Sequence, residues 1–154
     1  MQRVQRAAVL VALVMAVGST AALAAPRGCG GAGCGSAGWG MKGEYQRMYN
    51  PATVESLRGE VQSIGRMTPR KGMGAGIHLQ LKTEQETVSV HLGPAWYLDR
   101  QDTRIEKGDV LEIKGSKITM SGKPVIIAQE VKKGDAVLRL RDDNGVPVWA
   151  GWRR

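Results

Sequence analysis

His78 and His91 are the only two histidines in the chain. Each lies in a run that alternates apolar and polar residues. The runs are Ile77-His78-Leu79-Gln80-Leu81-Lys82 and Val88-Ser89-Val90-His91-Leu92, with the polar stretch 83–87 between them. Alternation with period 2 predicts strands with one buried and one wet face, and two such runs around a short polar turn predict a hairpin. Leu79, Leu81, Val88 and Val90 must share the buried face. A four-residue loop from Thr83 to Glu86 then sets Lys82 opposite Thr87 and His78 opposite His91. Directly opposed residues have Cβ atoms roughly 4.5–5.5 Å apart, close enough for two imidazoles to share a metal ion. A two-residue loop would shift the register by two and separate them.

Two histidines alone make an incomplete site. Met67, Met73 and the cysteines are the further ligands on offer, and imidazole with thioether favours copper whereas imidazole with carboxylate favours zinc or iron. Haem is a further candidate. The plain alternative is a pair of exposed strand histidines on the wet face formed by His78, Gln80, Lys82, Ser89 and His91. Both cysteines lie in Cys29-Gly-Gly-Ala-Gly-Cys34. In an oxidising compartment they are expected to pair as a small disulfide ring, with a redox or metal role as the alternative. Two thiolates are too few for a metal site by themselves. Arg66, Arg70 and Lys71 form a basic loop that could hold an anionic ligand or nucleic acid phosphates. Single-strand binders stack bases on aromatic residues of the sheet, and the wet face here has none. Trp96, Tyr97 and Trp149 read as packing, and Trp152 as an exposed partner contact. No nucleophile–base arrangement or carboxylate pair is evident, so a non-enzymatic protein is expected.

The remaining elements follow from composition and turn signals. Residues 1–24 read as a secretory signal, with Arg3 and Arg6 ahead of an apolar run and Ala22-Leu23-Ala24 as the cleavage site. That run is shorter than the ~20 residues of a spanning helix. Export to the periplasm or outside the cell follows. The full chain carries a net charge of +8. Losing Arg3 and Arg6 with the signal leaves +6, which favours anionic partners or simply solubility. Residues 25–53 read as a Gly-rich tether holding the cysteine pair and then a helical turn. Its Tyr45, Met48 and Tyr49, at i, i+3 and i+4, would lay one apolar face on the domain. Residues 54–154 form the domain proper. Leu57, Gly59 and Val61 alternate and the parity slips before Ile64, as at a bulge. Pro94 opens a short helix over 95–100. Gly115 marks a kink within a strand that runs through 110–114 and on to 117–120, Ser121-Gly122 a tight turn, and 124–131 a further strand. Asp143-Asn144-Gly145 predicts a final hairpin joining 137–141 to 146–149.

A bent strand, a hairpin, a short helix, a kinked strand and a hairpin to a fifth strand is the element order of the OB-fold. We therefore expect an all-β, five-stranded Greek-key barrel with a helix between strands 3 and 4 and a C-terminal hairpin. Arg58-Gly-Glu-Val61, His91-Leu-Gly-Pro94 with Trp96-Tyr97-Leu98, and Glu112-Ile-Lys-Gly-Ser116 carry a more specific likeness, joined by Gly108-Asp109 and by Leu138-Arg-Leu-Arg-Asp142 with Gly145-Val-Pro-Val-Trp149. Over 54–152 the chain resembles the exported bacterial OB-fold proteins that include the magnetosome MamS/MamX-type domain. That resemblance implies a periplasmic association with iron or redox biology. The C-x-x-C-H haem-attachment motif of some such proteins is absent from this sequence. The expectation is an exported binding or accessory module with an envelope protein as partner, specifically in metal, haem or redox handling, and anion or nucleic acid binding as the alternative.

Overall fold

The computed structural model describes residues 37–151. Residues 1–24, expected to be a secretory signal, and Cys29, Cys34 and Trp152 lie outside the described residues. The strands are β1 (Val54–Met67), β2 (Gly76–Lys82), β3 (Thr87–Pro94), β4 (Val110–Met120), β5 (Lys123–Lys133) and β6 (Ala136–Arg139), with short helices α1 (Glu44–Arg47) and α2 (Ala95–Leu98). Neighbours run β3-β2-β1-β4-β5-β6, and a parallel β3–β5 pairing joins the ends of the five-stranded part into a closed barrel. This is the expected OB-type architecture, with β6 added beside β5.

β1 serves both halves of the barrel. Val54 to Glu60 pairs with β4, and Glu60 to Met67 pairs with β2. The bulge expected from the parity slip falls between Val61 and Ser63, where the extra residue bends the strand around the core. A Cβ on Gly59 would lie 2.4 Å from the Lys82 carbonyl oxygen, so only glycine fits at the strand crossing. The interior is filled by the apolar half of each alternation, with Val61, Leu79, Leu81, Val90, Leu111, Ile113 and Ile126 fully buried.

The kink expected at Gly115 is a register shift within the continuous strand β4, with the Gly115 Cβ position only 2.4 Å from the Ile127 carbonyl oxygen. Two local expectations are adjusted. The C-terminal hairpin has one arm rather than two. β6 pairs with β5, but the return is limited to an Arg141–Pro147 bridge before a 3-10 turn over Val148–Gly151. Pro147 lacks the N–H a ladder needs, and the Asp142 carboxylate takes the N–H groups of Asn144 and Val146 instead. The tether expectation does not extend to residue 39, because Trp39 is fully buried. The helical turn at Tyr45 and Tyr49 lies on the domain as its spacing predicts, both rings being buried.

Candidate metal-binding site

β2 and β3 pair in the expected register, with Lys82 opposite Thr87 and His78 opposite His91. The four-residue loop that sets this register is closed by Thr83. Its hydroxyl donates to the Glu86 carbonyl oxygen at 2.8 Å, and its backbone N–H bonds the same oxygen at 2.9 Å. The two imidazoles have ring centroids 6.4 Å apart with planes at 72°. The His78 ring lies over Gly65, its partner on β1, where an added Cβ would approach His78 Cε1 to 2.9 Å.

The wet-face expectation fails for His91, which is 4% exposed. On β3 the alternation gives way to unbroken burial from Val90 to Pro94. Such a run means that both faces of the strand are covered. The cover is an outer layer drawn from the two ends of the described chain. Trp39, Tyr45 and Tyr49 come from the N-terminal side, and Arg141 and Trp149 from the C-terminal side. Trp149 donates its indole N–H to the Trp39 carbonyl at 2.9 Å, and Trp39 donates to the Gly74 carbonyl at 2.9 Å. Both large rings rest on glycines of the paired strands. A Cβ at Gly76 would meet Trp39 at 2.3 Å, and one at Gly93 would meet Trp149 at 2.6 Å.

Within this layer Tyr45 stacks on His91, with centroids 6.0 Å apart, and its hydroxyl lies 3.0 Å from His91 Nδ1. His78 Nδ1 is buried and has no hydrogen-bond partner among the described residues. Burial, with smaller contributions from His78 and Arg141, lowers the His91 pKa to about 4. The ring is therefore neutral at neutral pH, the form that ligates metals. Desolvation likewise raises the Tyr45 and Tyr49 phenols above their ordinary range.

Sequence reasoning missed Arg141. Its side chain is fully buried. One nitrogen, Nη1, donates to the carbonyls of Leu92, at 3.3 Å, and Ala128. The parallel ladder between β3 and β5 ends at His91–Ile127, so the guanidinium bridges the next carbonyl on each strand. It sits 5.0 Å from the centroid of the Trp149 ring, while Nε and Nη2 have no partner. In sequence, Arg141 stands in an alternating Leu-Arg-Leu-Arg run that reads as a solvated strand face.

Arg66 and Arg70, expected to hold an anion, have carboxylate partners of their own. Arg66 bonds both carboxylate oxygens of Asp99 at 3.2 and 3.0 Å, and Arg70 pairs with Glu44 at 2.6 Å. Two of the three loop cations are thus already engaged. A groove of about 600 Å³ lies at the turn end of the hairpin, lined by Arg58, Glu60, Lys82 and Glu84 among others. Its mixed charges select no ligand class. Among the described residues no cluster of three or more His, Cys, Asp and Glu side chains could hold a metal ion. No helix among them is long and apolar enough to cross a membrane.

Comparison with curated proteins found no match. The model of the MamS/MamX magnetosome protein family matches residues 53–138, more than half of the chain. The match spans the barrel with both histidines and leaves out Trp39, Tyr45, Tyr49, Arg141 and Trp149. By this match, and by the closed barrel it covers, the chain belongs to the MamS/MamX magnetosome protein family.

Proposed function

We propose that the protein is an exported, non-enzymatic accessory module of the cell envelope whose barrel holds a metal ion through His78 and His91. The observation that carries this reading is the direct cross-strand pairing of the two histidines. Two imidazoles opposed across the hairpin are a start toward a metal site, and the Tyr45 hydroxyl at His91 Nδ1 supplies the orienting contact that ligating histidines commonly have. With the Nδ1 proton directed at the Tyr45 oxygen, Nε2 carries the lone pair that would ligate. Family membership supports a magnetosome-associated setting, in which an envelope protein is the expected partner. Haem is less well served, since a ring of its size needs an open face and His91 is covered.

The test is titration of residues 25–154 with copper, zinc and iron salts and with haem, followed by calorimetry and absorbance, beside the double variant His78→Ala/His91→Ala. Saturable one-to-one metal binding that disappears in the variant is the expected result. Binding that persists in the variant, or no binding in the parent, refutes the site and leaves a protein-interaction module.

A further inference from the structure

The outer layer adds a constraint on which ion the histidine pair can take. Arg141 brings a full positive charge into the layer, hydrogen-bonded to the carbonyl of Leu92, the residue next to His91. A guanidinium remains charged at any physiological pH. Among the described residues no carboxylate bonds it. Asp143, which bonds Gln129 Nε2 at 2.8 Å, is an exposed side chain that also pairs with Lys114. The tyrosines contribute neutral hydroxyls.

Any cation held by His78 and His91 therefore enters a buried, already positive surrounding with only neutral nitrogen ligands. Repulsion from Arg141 doubles between a monovalent and a divalent ion, and the cost of desolvating the ion rises faster still. At an effective dielectric near 20, one extra unit of repulsion over side-chain separations amounts to a factor of roughly 10 to 100 in affinity. Zinc and ferrous iron ordinarily offset this with carboxylate or thiolate ligands, which this layer does not supply. Cuprous ion carries one charge and is satisfied by two nitrogen ligands.

We infer that the buried, carboxylate-free Arg141 beside the His78–His91 pair makes the site selective for a monovalent soft cation, Cu(I), over divalent metals. This rests on the proposal that the pair binds metal. It also assigns a role to this chain's own flanks, because Arg141 and the aromatic cover lie outside the family match.

The test uses residues 25–154 carrying Cys29→Ser and Cys34→Ser, since free thiolates also take Cu(I). It is run under anaerobic reducing conditions, with Cu(I) supplied as its bicinchoninate complex and Zn(II) and Fe(II) titrated separately. The expected result is one-to-one Cu(I) binding at least ~30-fold tighter than either divalent ion, weakened in both His78→Ala and His91→Ala. Arg141→Gln should narrow that gap about tenfold by admitting Zn(II) more readily. Because Arg141 also ties β3 to β5, Arg141→Lys is a second variant that keeps the positive charge and loses the guanidinium fork. It should retain the gap. Zn(II) or Fe(II) bound through the histidines as tightly as Cu(I) overturns the selectivity and leaves the metal-site proposal standing. A histidine-dependent Cu(I) preference unchanged in Arg141→Gln, or narrowed equally in Arg141→Lys, overturns the role of the Arg141 charge. No histidine-dependent binding of any ion removes both proposals.

Discussion

Acidification should weaken the fold through His91, by an amount set by its burial. Its pKa falls from 6.5 to about 4 on folding, so between those values the unfolded chain binds a proton that the folded chain does not. Stability contributed by this residue is complete above pH 6.5 and declines as the pH falls toward 4. Each pKa unit corresponds to about 1.4 kcal/mol, so the whole shift is worth ~3 kcal/mol, and the fall from pH 7.5 to pH 5 should cost about 2 kcal/mol. That is a large share of the 5–15 kcal/mol typical of a domain. The assay is urea unfolding across that range with chelator present, for the parent and for His91→Gln. The variant keeps a polar atom near Tyr45 and cannot titrate. Carboxylate effects common to both proteins cancel in the difference, so the advantage of the parent should shrink by about 2 kcal/mol as the pH drops. Curves that stay parallel to within about 0.5 kcal/mol would refute the reasoning, since His91 would then titrate as an exposed residue does.

Three further outcomes are expected. Trp39→Ala should destabilise the protein by ~3–5 kcal/mol in urea unfolding, as for other buried aromatics, although a tether residue would cost nothing. Gly145→Ala should cost roughly 2 kcal/mol or more in the same assay, because residue 145 has φ +82° and an added Cβ would lie 2.2 Å from the Tyr49 ring. Arg66→Ala should change stability by less than about 1 kcal/mol, with the difference shrinking at high salt, since its pair with Asp99 is exposed.

The barrel and the histidine register were legible because both depend on local information. Strict alternation in β2 and β3 fixes which residues face inward, and the loop from Thr83 to Glu86 fixes which residues oppose each other. The bulge near Val61 showed itself as a parity slip for the same reason. The burial of His91 was not legible, because its cover comes from Tyr45, 46 residues before it, and from Arg141 and Trp149 near the far end. Period-2 alternation says which face a side chain takes but not whether another part of the chain lies on that face. Signals for the cover were present all the same. A tryptophan stands alone in the Gly-rich segment at Trp39, and Gly76 and Gly93 interrupt strands at the positions the two indoles occupy. Arg141 gave no such sign, because an alternating Leu-Arg-Leu-Arg segment is what a half-exposed strand also looks like.

The bond between Trp149 and Trp39 spans 110 residues, and this sets an order of events. The β2–β3 hairpin needs only local contacts to form, whereas closing the cover requires the two ends of the domain to meet, a slow non-local step. A chain emerging from its N-terminus presents both imidazoles well before residue 149 is available to dock against residue 39. During that interval both imidazoles lack the outer layer, and afterwards His91 lies buried behind Tyr45 while His78 stays partly exposed. An ion bound at the proposed pair would therefore exchange at different rates before and after the cover closes.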